Sequence, residues 1–231
     1  MSSDNSSNRP NDPPTDPKQI PPAQDSQKGS VKGFFADNLP TVTVAILLAV
    51  GVRIFIAEPR YIPTSSMEPT LLIDDRLIID KLSIRWQKPQ RGEIVVFNPP
   101  NVEIVPDASK VYIKRVIGVP GDRISITDGK VFVNDQPLNE PYIASPPSYT
   151  LPTQDDALCS NCFRPPNVQI SNNRSYFTVP AGNYWVMGDN RNNSLDSHAW
   201  GFLPEENLVG RATFRYWPLD KRAGVLGIPK Y

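Results

Sequence analysis

Between Leu39 and Ala57 the chain runs Leu-Pro-Thr-Val-Thr-Val-Ala-Ile-Leu-Leu-Ala-Val-Gly-Val-Arg-Ile-Phe-Ile-Ala, with Arg53 as its one charged residue. A run of this kind constrains everything around it, because it must either enter a bilayer or be buried as a core helix. At ~1.5 Å per residue a helix of this length covers roughly the ~30 Å of a hydrocarbon core. Arg53 stands near the C-terminal end, where it can snorkel to the interface. Lys28 and Lys32 precede the run and Glu58 follows it. The positive-inside bias therefore predicts a single-pass signal-anchor over 39–57, with the N-terminus cytoplasmic and the rest of the chain on the far side. Arg53, Glu58 and Arg60 leave no small-x-small cleavage site directly after the run, so the anchor is expected to stay attached.

Residues 1–30 are rich in Ser, Asn, Asp, Pro and Gln and nearly devoid of large apolar side chains. Such a segment cannot bury enough surface to offset its ordering entropy, and a disordered cytoplasmic tail is expected over 1–38. The 26 prolines of the 231-residue chain are about twice the usual share. They gather in this tail and again near 141–166, and exclude continuous helix in both places. Charge adds a second exclusion. Lys plus Arg and Asp plus Glu number 24 each, so no basic field invites nucleic acid.

Beyond residue 58 the pattern is that of strands. Glu93–Phe97, Lys110–Gly118, Ser175–Val179, Tyr184–Met187 and Arg211–Trp217 are β-rich runs. Arg123–Thr127 and Lys130–Val133 alternate about Asp128-Gly129, a strong hairpin signal. Helical turns are expected only at 68–73 and 204–208. The fold class that follows is mostly β and antiparallel behind one N-terminal helix, with a Pro-rich excursion over about 135–174. Cys159-Ser-Asn-Cys162 lies in that excursion, without the βαβ setting of a redox motif. It is either a small-loop disulfide or a pair of inert thiols. With one histidine in the chain, His198, a multi-His metal site is impossible, and the two cysteines do not complete a zinc site with it at any familiar spacing. No metal or other cofactor is expected.

Just past the apolar run stands Pro63-Thr-Ser-Ser-Met-Glu-Pro-Thr-Leu71, a hydroxyl cluster between prolines that stiffen the backbone. A serine there suits a nucleophile, but serine at neutral pH needs a base. Two candidates exist. One is His198, with Asp189 or Asp196 to orient it. The other is Lys114, in Val111-Tyr-Ile-Lys-Arg-Val-Ile117, where alternation puts Tyr112, Lys114 and Val116 on one face and Ile113, Arg115 and Ile117 on the other. Apolar neighbours disfavour the ammonium; a fall from ~10.4 to ~7.5 corresponds to roughly 4 kcal/mol against the charged form. The plainer alternative for Lys114 is an edge lysine that snorkels or pairs with a carboxylate.

Four motifs bear on that choice. After the anchor come the Pro63–Leu71 segment, then Arg91-Gly-Glu-Ile-Val-Val-Phe97, then Lys114-Arg-Val-Ile-Gly-Val-Pro-Gly-Asp122, and last Gly188-Asp-Asn-Arg-Asn-Asn-Ser-Leu-Asp-Ser-His-Ala-Trp-Gly201. In this order they resemble the sequence boxes of type I signal peptidases, the membrane-bound Ser/Lys leader peptidases of bacteria and their derived organelles. The resemblance covers nearly everything after residue 38. It implies that Ser66 is the nucleophile and Lys114 the general base. It implies an oxyanion hole of the Ser66 N–H and the Thr64 hydroxyl, where many members carry serine in place of Thr64. Ser194 would hydrogen-bond and orient Lys114, and Asp189, Arg191 and Asp196 would hold the loop behind the site as an ion-pair network. Ile62, Met67, Leu71, Tyr112 and Ile113 would line small substrate pockets. His198 receives no catalytic role from the resemblance.

The implied architecture is a catalytic core of residues 58–122 and 184–231 with a smaller β-extension, 123–183, inserted between them. The implied activity is a serine endopeptidase that removes N-terminal signal peptides from exported preproteins at small-x-small sites, in a plasma or thylakoid-type membrane close to the export translocon, with the lipid bilayer and no nucleic acid as its surroundings. Two other readings compete: a Ser/His/Asp hydrolase using His198, and a membrane-tethered β-domain that only binds partners.

Overall fold

The computed structural model describes residues 31–231 except 154, 156–158, 160 and 172, with side chains described from residue 38 onward. The expected tail over 1–30 lies outside the described residues. Helix α1 spans Val31–Phe55. It begins earlier than the expected anchor, so residues 31–38 are helical and not tail, which accords with the low cost of extending a helix once nucleated. It also ends earlier, for Ala57 already belongs to a strand. Asn38–Phe55 has a mean hydropathy of 1.8 and is unburied throughout, with Leu39, Ile46, Leu47 and Leu48 all exposed. A core helix would be packed on one side at least, so the buried-helix alternative fails.

The strands are β1 (Ala57–Tyr61), β2 (Arg76–Asp80), β3 (Ile94–Phe97), β4 (Tyr112–Gly118), β5 (Arg123–Thr127), β6 (Lys130–Val133), β7 (Gln136–Pro137), β8 (Gln169–Ser171), β9 (Arg174–Thr178), β10 (Asn183–Met187), β11 (Leu203–Pro204), β12 (Leu208–Trp217) and β13 (Gly224–Val225); a four-residue helix α2, Ser197–Trp200, precedes β11. One sheet has the order β1-β2-β12-β3-β4-β10-β11, with β13 also pairing β12. A second has the order β7-β6-β5-β9-β8. All of these pairings are antiparallel, as the alternating sequence pattern predicts.

The β5–β6 hairpin turns at Asp128-Gly129, whose φ values of 52° and 69° are both positive, as a tight type I′ turn requires. Strand β1 escapes sequence reading because Ala-Glu-Pro-Arg-Tyr has no alternation. It is an edge strand paired to β2 alone, where Pro59 costs no central ladder bond. Strand β2 is hidden for another reason: Leu77 and Ile79 are buried while Ile78 between them is half-buried, so apolar residues run consecutively.

Three buried clusters hold the β-domain together. Ile62, Met67, Leu71, Leu77, Ile79 and Ile94 pack beneath the Pro63–Leu71 segment. Val95, Phe97, Val116, Tyr184 and Trp200 pack across the middle of the first sheet. Ile117, Trp185 and Met187 from the first sheet join Ile124, Val131 and Phe177 from the second in one continuous core. The two sheets are thus fastened by shared apolar packing and not by a linker. Cys159 and Cys162 form a disulfide, with Cys162 at the edge of this last core.

Candidate active site

Pro63 and Thr64 lead in extended, with Thr64 at φ −136° and ψ 157°. The chain then tightens into a single 3-10 turn, Ser65–Met67. The first amides of such a turn have no partner within it, so the Ser66 N–H faces out of the turn. Met67 anchors the turn from below, fully buried. From the far end of the sequence Asn190 N donates to Ser66 O at 3.1 Å, Asn190 Nδ2 to Ser65 O at 3.2 Å and Asn193 Nδ2 to Ser65 Oγ at 3.0 Å. The serine turn is therefore fixed by a loop more than a hundred residues away in sequence.

Strand β4 supplies the opposing group. Lys114 Nζ donates to Ser66 Oγ at 2.7 Å and to Ile113 O at 3.0 Å. Lys114 is 4% exposed and Ser66 8%, and the ammonium sits 5.7 Å from the centre of the Tyr112 ring, on the face that alternation assigns to both residues. Among the described residues no carboxylate lies within ion-pair distance of Nζ. Burial pushes the Lys114 pKa down to about 8, against the more distant pull of Asp196 and Asp189. The edge-lysine alternative fails on both counts, since the side chain neither snorkels nor pairs with a carboxylate. Thr64 Oγ1 lies 3.3 Å from Ser66 Oγ.

The Gly188–Gly201 loop closes the site from behind, with its ion pairs arranged differently from the expected network. Asp189 pairs with Arg115, Oδ1 accepting from Nε at 2.8 Å and Oδ2 from Nη2 at 2.6 Å. Arg191 pairs with Glu140 of the inserted segment at 2.7 Å and donates through Nε to Gly188 O at 2.9 Å. Asp196 accepts from Gly188 N at 2.7 Å and lies 2.8 Å from His198 Nδ1. Asp189 and Arg191 thus reach out to two separate elements, whereas Asp196 ties the loop to itself. Burial alone would push the Asp196 carboxyl up, but His198 and the hydrogen bond from the Gly188 amide hold it below the ordinary value. Ser194 departs from expectation: its Oγ is buried with no hydrogen-bond partner among the described residues, so the expected bond to Lys114 is absent. At Gly188 a Cβ would collide with Ser194 and with Ser66 O, so only glycine allows the loop this close to the serine turn.

Ile62, Met67 and Leu71 are buried core residues, able to serve a pocket only as its floor. Tyr112 and Ile113 are half-buried and better placed as walls. His198 stacks on Tyr149, ring centroids 4.5 Å apart and 18° from parallel, and has no hydrogen bond to Ser66 among the described residues. The serine's partner is the lysine.

Sequence reasoning missed Arg115, Glu140 and Arg215. Arg115 stood beside Lys114 in the quoted motif, and its buried position in an alternating strand was the available signal. Arg215 donates to Thr70 O at 2.8 Å and to Asp75 Oδ2 at 3.2 Å, bracing the far end of the serine segment from β12. No local pattern links residues so distant.

Residues 35–217 match the family model of signal peptidase, peptidase S26. The chain belongs to this family. It is 40% identical to a signal peptidase I of Leptolyngbya laminosa, over 99% of this chain and 98% of that one. It is 48% identical to a probable signal peptidase I-2 of Synechocystis, over 80% and 74%. It is 39% identical to the chloroplastic thylakoidal processing peptidase 1 of Arabidopsis thaliana, over 78% of this chain and 46% of that protein. An S26 member with these relatives is a serine peptidase, and its apolar N-terminal helix is consistent with membrane association.

Proposed function

We propose that this peptidase removes signal peptides from preproteins by a Ser66/Lys114 dyad. The observation that carries the assignment is the 2.7 Å contact between Lys114 Nζ and Ser66 Oγ in a site where the amine has no carboxylate partner. A lysine with a pKa of about 8 is neutral in an appreciable fraction of molecules near neutral pH. In that state its lone pair accepts the Ser66 proton as Oγ attacks the scissile carbonyl. The developing oxyanion is met by the Ser66 N–H and the Thr64 hydroxyl. The new ammonium then protonates the departing amine, and a water activated by Lys114 hydrolyses the ester. Asp189, Arg191, Ser194 and Asp196 support this geometry without touching the reacting atoms.

Tyr112 and Ile113, over the floor of Ile62, Met67 and Leu71, favour small side chains beside the cleaved bond. Residues 58–122 and 184–231 act as the catalytic core and 123–183 as its extension. The apolar part of helix α1, Asn38–Phe55, anchors the enzyme in a plasma or thylakoid-type bilayer. Lys28 and Lys32 keep the N-terminus cytoplasmic, which puts the catalytic domain on the far side of the bilayer, where exported preproteins emerge. The test is cleavage of a model preprotein by the detergent-solubilised protein, with mass spectrometry of the new N-terminus. Wild type is expected to cut after a small residue, and Ser66→Ala and Lys114→Ala to lose nearly all turnover while folded. Cleavage by either variant at a tenth of the wild-type rate rejects the dyad.

A further inference from the structure

The inserted segment between β7 and β8 follows the Gly188–Gly201 loop closely. Leu138 N donates to Val131 O at 2.8 Å, tying the start of the segment to β6. Glu140 then meets Arg191 at 2.7 Å, with side chains 6% and 0% exposed, and Tyr142 OH donates to the same Glu140 oxygen at 3.1 Å. The Tyr142 ring lies 4.2 Å from the guanidinium carbon of Arg115. Ala144 N donates to Asp189 O at 3.1 Å. Asn192 accepts from Ser148 N at 2.8 Å and donates to Pro146 O at 2.9 Å. Tyr149 covers His198. The contacts reach the loop at residues 189, 191, 192 and 198.

The Glu140 contact differs from the rest because of what Arg191 does. An arginine is always charged and cannot shed its proton to escape burial. Glu140 is its carboxylate partner among the described residues. The other side of the guanidinium, Nε, holds Gly188 O at 2.9 Å, and Gly188 is packed directly on Ser66 O and Ser194. Asn190, the residue before Arg191, donates to both Ser65 O and Ser66 O. A fixed Arg191 therefore fixes the two groups that hold the serine turn.

We infer that Glu140 is a positioning residue of the peptidase reaction: paired with Arg191, it sets the Gly188–Asn190 backbone against the Ser66 turn, so the inserted segment tunes catalysis without reaching the substrate. This rests on the Ser66/Lys114 reading. None of the contacts described above reaches Tyr112 or Ile113, so Glu140 is expected to act on kcat and not on KM. Displacing a nucleophile by a fraction of an ångström is costly, with a 1 Å error worth on the order of 100-fold.

The test compares Glu140→Gln, Arg191→Met, their combination and the apolar pair Glu140→Met/Arg191→Met in preprotein cleavage, each with its melting temperature. Glu140→Gln is expected to lower kcat on the order of 10- to 100-fold and to leave KM within about twofold. The Gln/Met combination is expected to be no slower than Arg191→Met alone, because both act through one link. The apolar pair removes both buried charges together, which restores stability in many proteins; it is expected to regain the melting temperature and not kcat. Wild-type kcat in Glu140→Gln, additive losses, or an apolar pair that regains kcat along with stability would each overturn the inference. If Glu140→Gln does not fold, the apolar pair alone decides. Turnover retained by Ser66→Ala would sink the dyad and this inference together, whereas a dead Ser66→Ala beside a fully active Glu140→Gln sinks only the inference.

Discussion

The two faces of β4 carry two consecutive buried cations, and they are treated in opposite ways. Arg115, 2% exposed, has its charge met by both oxygens of Asp189, and it also donates to Gly92 O at 2.7 Å and Thr70 Oγ1 at 3.3 Å. Burial works to lower its pKa, yet Asp189 wins and the value is raised. One residue earlier, Lys114 has a serine hydroxyl and a backbone carbonyl, and its pKa falls. Burial does not by itself distinguish a structural cation from a chemical one. What distinguishes them is whether the protein completes the charge's coordination or withholds it. A satisfied cation fastens strands; an unsatisfied one is ready to give up its proton.

The contrast can be broken most severely at Lys114. Lys114→Arg retains the charge and forbids its loss, because a guanidinium does not deprotonate in proteins. Peptidase activity is expected to fall by at least ~10³-fold, in the upper part of the range for a lost general base, while Arg115→Lys keeps a measurable rate. Comparable rates for the two variants would erase the distinction.

Stability should separate the faces in the other direction. Arg115→Met leaves Asp189 buried without its partner and is expected to destabilise by roughly 3–5 kcal/mol, read from denaturant unfolding. Lys114→Met should instead stabilise. With a folded pKa of about 8 below the unfolded value near 10.4, the native state binds its proton more weakly than the unfolded one. Between those values the unfolded chain holds the extra proton, so wild-type stability rises with pH there. Below pH 8 the penalty is fully present, on the order of 3 kcal/mol. Lys114→Met is expected to remove it, with the gain shrinking toward pH 10. A destabilised Lys114→Met would mean that the amine is structurally satisfied after all.

The smallest effect concerns the rising limb of kcat/KM, expected through about pH 8 as Lys114 loses its proton. A histidine base at its ordinary pKa would put that limb near ~6.5. His198→Asn should keep the alkaline limb and move it by less than about one pH unit, through Asp196. Disappearance of the limb together with activity would restore His198 as the base.

How much of this was legible in the sequence varies with the range over which the physics acts. The β5–β6 hairpin could be read because Asp128-Gly129 and its flanking alternation are local. Period two within β4 put Tyr112 and Lys114 on one face, but both faces are buried from Lys114 onward, so alternation alone could not single out the lysine. Ser66 and Thr64 came from the motif, and their 3.3 Å separation follows from the turn they share. The resemblance gives Ser194 a bond to Lys114 that the structure lacks, because side-chain direction in an irregular loop has no period to betray it. Glu140 lay in a stretch where prolines erase both helix and strand patterns, and its partner stands 51 positions later, so nothing nearby in sequence marks it.

Strand β12 lies between β2 and β3, although it follows both by more than a hundred residues. The sheet that carries Lys114 therefore stays split until Leu208–Trp217 has been synthesised and threaded into the gap. The loop that grips the Ser66 turn also comes late, at Asn190 and Asn193. As the chain leaves the ribosome, Ser66 and Lys114 exist long before the scaffold that aligns them. The nascent enzyme is silent through most of its own synthesis, and its first competent cut must wait for one of its last strands.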